Sequence, residues 1–193
     1  MSARIIEILE SEDLDRVKQL AIHEVRKAFF GIYTNIPEIV LPNISIAVFN
    51  TIIDILDVSD LPTLVYVVCK EKSDRVDLLK SIASQTHINV TIDLICEAIV
   101  AKNEKIIEFL MDLKDEALST TDVCFLISYA LSKATPRIAR LITFKSGINL
   151  YFLNDSDIAL MLDNYINLKE ELRKLLSEEF RNGVVEESKL RQL

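Results

Sequence analysis

The sequence predicts an all-α fold of stacked helix–turn–helix repeats, and three observations carry that prediction. Three Gly, four Pro and no Trp stand against abundant Ile, Leu, Glu and Lys, a balance that suits helices joined by short loops. Apolar residues recur at helical spacing, as in "HINVTIDLICEAIVAKNEKIIEFL" from His87 to Leu110. That pattern then returns at a step of 31 residues. At 193 residues, half of them hydrophobic, the chain is long enough for one sizeable core or a short repeat array.

The elements follow in chain order within one expected domain, 1–193. Residues 1–60 form an irregular N-terminal cap. It opens with the half-pattern "IEILESEDLDRVKQL", and Asp15-Arg16-Val17 recurs as Asp74-Arg75-Val76. The segment from Ile22 to Asp57 does not fit the repeat, because Pro37 and Pro42 interrupt whatever helix precedes "TIIDIL". Were Val17 and Val76 equivalent, the 59 residues between them would hold nearly two units, one distorted.

Residues 61–145 hold two to three repeats. "LVYVVCKEKSDRVDLL" moves by 31 onto "ICEAIVAKNEKIIEFL", and again onto "LISYALSKATPRIARL". The matched columns are Leu64/Ile95/Leu126, Val68/Ile99/Ala130, Val76/Ile107/Ile138 and Leu79/Leu110/Leu141. All are apolar, which describes two short helices around a polar turn. Asp60, Thr91, Thr121 and Asp155 or Ser156 are natural N-caps, and Pro62 suits a first turn. Residues 146–193 form a capping repeat and tail. Gly147 supplies a left-handed helix end, and Leu168, Leu172, Leu175 and Leu176 lie at helical spacing.

These residues carry a family resemblance. "AIVAKNEKIIEFL" resembles the helix–turn–helix of an ankyrin repeat, with Ala98 and Ile99 on the inner helix, Lys102-Asn103 in the turn, and Ile107 and Leu110 on the outer helix. "SGINL" is similar to the stretch that enters the ankyrin finger. The resemblance implies a degenerate ankyrin-like solenoid whose fingers are short or irregular. The Thr-Pro-Leu-His opening is absent, Lys72, Lys102 or Ala134 replace the turn glycine, and the step is 31 rather than about 33. Such eroded repeats are a style of large DNA viruses and intracellular parasites.

Charge and cysteine usage narrow the function classes. With 30 acidic and 22 basic residues interspersed, the net charge of −8 disfavours nucleic acid as a direct ligand. Arg26 and Lys27 beside Glu24 read as a solvated helix face. Cys69, Cys96 and Cys124 sit in apolar runs and read as core residues of a reduced, intracellular protein. The Asn43-Ile-Ser45 and Asn89-Val-Thr91 acceptor patterns then read as chance matches. Neither an export signal nor a membrane-spanning segment is expected.

No phosphate loop, nucleophile elbow or zinc-protease motif occurs, so no catalytic, cofactor-binding or metal-ligating residues are expected. Function is expected on columns outside the core. Tyr66, Glu97 and Ser128 share one column, Asp93 lies one turn before Glu97, and His87 sits at an expected finger tip. Together these five suit a protein partner of basic or mixed character, bound by an adaptor or inhibitor through a concave repeat face. The rival readings are a globular Bcl-2-like helical bundle, an enzyme with unrecognised groups, and a self-assembling structural subunit that uses Phe29, Phe30 and Tyr33.

Overall fold

The computed structural model describes residues 2–31, 36–114 and 116–148. Among the described residues the chain is all-helical, as its composition predicts, with eleven α-helices, one 3₁₀ turn and no strand. It divides into two compact units, Met1–Asn89 and Val90–Leu193. The boundary falls inside the block 61–145 that the sequence step treats as continuous.

In the first unit α1 (Ser2–Glu10) and α2 (Leu14–Lys18) are followed by α3 (Ile22–Phe30), the single-turn α4 (Ile36–Val40) and α5 (Ile46–Ile55). A 3₁₀ turn (Val58–Asp60) then leads into α6 (Leu61–Cys69), and α7 (Val76–Gln85) follows. Local chemistry sets the helix starts. Asp13 accepts hydrogen bonds from the Asp15 and Arg16 amides, Ser45 accepts one from Val48, and the Glu24 carboxylate accepts one from the Ala21 amide. Pro37 and Pro62 occupy first turns, where a missing N–H leaves no bond unmade.

Three helices of the first unit carry buried aliphatic residues at a 31-residue spacing. Val17 on α2, Val48 on α5 and Leu79 on α7 are 31 apart and wholly buried, and α5 packs against both α2 and α7. Asn50 and Ser81, also 31 apart, hydrogen-bond side chain to side chain across α5 and α7. Val76, by contrast, is only half-buried.

The irregularity lies in the first helices. A step of 31 back from Leu64 and Val68 on α6 reaches positions 33 and 37, beyond the end of α3, yet it is α3 that packs on α6. The chain takes up the difference between α3 and α5, where α4 sits. Arg75, only 9% exposed, holds this stretch in place. Its guanidinium donates to the carbonyls of Leu41 and of Ile44, the latter at 2.8 Å, and also pairs with Asp77 at 2.9 Å. Arg26 ties α3 to the 3₁₀ turn through Asp57 at 2.6 Å and Asp60 at 2.9 Å, so it is not the merely solvated residue expected.

The second unit contains α8 (Ile92–Ala101), α9 (Glu104–Leu113), α10 (Thr120–Lys133) and α11 (Pro136–Ser146). Neighbours in sequence pair, α8 with α9 and α10 with α11. The pairs then meet like on like, α8 on α10 and α9 on α11. Ile95, Ile99, Ile107, Leu110, Leu126 and Ala130 are wholly buried, and Ile138 is nearly so, while Leu141 is only half-buried. Full burial of each large aliphatic side chain is worth about 1.5–3 kcal/mol relative to exposure.

The turns of this unit match the expectation in part. Lys102 adopts a left-handed conformation, φ 60°, at the position where the resemblance places a turn glycine, and Asn103 caps α9 by accepting from Ile106 at 3.2 Å. Gly147 ends α11 at φ 65°, as expected. Thr91 caps α8, but Ser119 replaces Thr121 as the cap of α10. Its hydroxyl accepts from the Asp122 amide, and the Asp122 carboxylate accepts in turn from the Ser119 amide. The expected caps Asp155 and Ser156 and the leucines from Leu168 to Leu176 lie outside the described residues.

Candidate functional site

Residues of the expected site divide between the two units. In the first, Tyr66 is 37% exposed on α6, and the Lys70 ammonium lies 5.2 Å from its ring centroid, a cation–π contact from the residue that caps the end of that helix. His87 is exposed on the connection that follows α7. In the second unit Asp93 and Glu97 lie one turn apart on α8, with Asp93 exposed and Glu97 half-buried.

Ser128 does not belong to a surface. It is 1% exposed, and its hydroxyl donates to the Cys124 carbonyl at 2.9 Å. A serine can satisfy its hydroxyl in this way inside a helix, so it can fill a core position. The 14-residue α10 buries Val123, Cys124, Leu126, Ile127, Ser128 and Ala130, which between 123 and 130 leaves only the strip of residues 125 and 129 partly exposed.

That strip carries the residues that the sequence reading missed. Phe125 and Tyr129, one turn apart on α10, stack with ring centroids 5.8 Å apart and an interplanar angle of 24°. Both are half-buried, as is Cys96 on the adjoining face of α8. Burial raises the Tyr129 phenol above its ordinary range, and the proximity of Cys96 and Glu97 adds to the rise. Burial, then Asp93, then Glu97 push the Cys96 thiol up to about 11. At neutral pH it stays protonated, which makes it a poor nucleophile and a poor metal ligand.

The face formed by α8 and α10 thus combines two carboxylates, Asp93 and Glu97, with a stacked aromatic pair and the exposed apolar side chain of Val100. A Phe–Tyr pair at i and i+4 was the sequence signal for it, overlooked because neighbouring columns read as core. Cys69 and Cys124 are buried as expected, whereas Cys96 is not fully so, and none of the three forms a disulfide. Among the described residues no group of His, Cys, Asp or Glu is placed to hold a metal ion. No described helix is long and apolar enough to cross a membrane. Comparison with protein-family models, with curated proteins and with solved structures finds no match.

Proposed function

We propose that the chain is a non-enzymatic protein-binding module built of divergent ankyrin-like helix pairs, and that the α8–α10 face receives a protein partner of basic or mixed charge. The observation that carries this reading is the concentration of Asp93, Glu97, Val100, Phe125 and Tyr129 on one two-helix face. Aromatic residues supply large, rigid contact area in protein interfaces, and a carboxylate rim selects for lysine and arginine. The ankyrin-like character is supported by the 31-residue step and by the left-handed Lys102 between paired helices.

The rivals have less support. A Bcl-2-like bundle is organised around a long buried central helix, whereas the longest described helix, α10, has 14 residues and pairs with its sequence neighbour. Self-assembly through Phe29 is disfavoured because Phe29 is buried in the core of its unit and Phe30 is half-buried, while Tyr33 lies outside the described residues. Neither nucleic acid nor a membrane is proposed as a direct ligand.

Affinity capture from native extract tests the reading with three baits: wild type, a Glu97→Lys, Tyr129→Ala double variant, and Asp54→Lys as a control in the other unit. A stoichiometric partner retained by wild type and control but lost by the double variant is the expected result. No partner, or the same partners on all three baits, removes the α8–α10 face as the binding surface.

A further inference from the structure

A recessed surface lies in the first unit, between α1 and α4, and shares no residue with the α8–α10 face. The buried side chains Leu9, Val40 and Ile44 line it together with Ile39, which is 47% exposed, and Glu10, Glu12 and Asn43 complete its wall. Its volume is about 240 Å³. Small-molecule sites usually enclose roughly 300–1,000 Å³, so this cleft suits a single inserted side chain better than a whole ligand.

Its chemistry is divided. Leu9, Val40 and Ile44 give it apolar lining continuous with the core, while its acidic groups are two glutamates that no ion pair engages among the described residues. Glu12 holds a left-handed backbone, φ 54°, a conformation that a non-glycine residue rarely adopts. It lies in the turn after α1 and stands on the same wall as Glu10. A purely aqueous cation would leave the apolar lining unused, and an anion would be repelled by the carboxylates.

We propose that this cleft is a docking notch for a protein segment that presents an apolar side chain beside a lysine or arginine. The apolar side chain enters the cleft over Leu9, Val40 and Ile44 and packs mainly on the exposed Ile39, and the neighbouring cation faces Glu10 and Glu12. Charge complementarity sets which segments enter, and apolar burial holds them. The proposal does not depend on the α8–α10 face, since either surface can fail alone.

Amide-resolved NMR titration of the full chain tests it with capped dipeptides as probes. Acetyl-leucyl-arginine amide is expected to shift the amides of Leu9, Ile39, Val40 and Ile44. The leucyl-glutamate and alanyl-arginine counterparts are each expected to bind about tenfold more weakly, a difference of about 1.4 kcal/mol. In a Glu10→Gln, Glu12→Gln variant the preference for arginine over glutamate should vanish while the shifts stay at the same residues. Absence of shifts at those four residues overturns the notch. Equal binding of the arginine and glutamate peptides by wild type overturns the charge selection that defines its occupant.

Discussion

The link between α8 and α9 and the link between α3 and α5 solve one problem in opposite ways. The first is two residues long, Lys102 and Asn103, and closes locally. The Lys102 amide donates to the Ile99 carbonyl at 2.9 Å, the Asn103 amide donates to Ala98 at 3.0 Å, and the Asn103 side chain caps the next helix. The second is fifteen residues long and contains α4. Its carbonyls at Leu41 and Ile44 are satisfied from outside, by Arg75 more than thirty residues away. A short turn is specified by its own residues, whereas an inserted one is specified by whatever distant side chain satisfies its backbone.

The largest effect is expected in the apolar column that both links serve. Leu110→Ala should cost about 2–5 kcal/mol, because the residue is wholly buried on α9 and its neighbours can close the cavity only in part. Glu104→Ala, at the start of the same helix, removes an ion pair with the exposed Arg137 and should cost under about 1 kcal/mol. Urea unfolding midpoints measure both, and equal losses would break the assignment of core and turn.

Arg75→Ala comes next, at about 2–4 kcal/mol, since it strips a donor from two backbone carbonyls in a site closed to water. Hydrogen exchange should then quicken around residues 41–46 while the α8–α9 link stays protected. Arg75→Lys should rescue little, because one ammonium lacks the planar fork that reaches both carbonyls and Asp77 together. Uniform loss of protection across both units would contradict the local role given to Arg75.

Two smaller effects sharpen the contrast. Lys102→Gly should stabilise the chain by about 0.5–1 kcal/mol, as relief of a left-handed side chain outweighs the added freedom of the unfolded glycine. A fall in the unfolding midpoint would show that Lys102 makes an unrecognised contact. In acid, hydrogen bonding by Arg26 holds the Asp60 carboxyl below the usual carboxylate range, and Arg75 does the same to Asp77. The stability they lend is therefore complete above about pH 4, the unfolded value, and is lost as pH falls through their lowered folded values. Asp60→Asn should lower stability at neutral pH and flatten the decline in acid, which urea midpoints at stepped pH would reveal.

Legibility in the sequence followed the same divide. Leu64, Ile95 and Leu126 were recoverable because a buried helix face imposes apolar identity at fixed spacing, and the structure buries all three fully. The stretch from α3 to α5 was not, because Arg75 binds backbone carbonyls, and any residue type supplies a carbonyl. Ser128 was misplaced because the register assigned it the exposure of Tyr66 and Glu97, while a helical serine can satisfy its hydroxyl on its own backbone. Phe125 and Tyr129 did not stand out, since only the approach of α8 makes a face of them with Asp93 and Glu97.

The most direct test of the account is whether α5 stands one 31-residue step before α7, as Asn50 and Ser81 require. Cysteines introduced as Asn50→Cys with Ser81→Cys, and separately as Asn50→Cys with Gln85→Cys, can be treated with a short bifunctional thiol reagent and the linked fraction followed by mass spectrometry. The register predicts rapid linkage of the 50/81 pair and slow linkage of the 50/85 pair one turn away. Faster linkage of the 50/85 pair, or none in either, would contradict the step through the N-terminal unit.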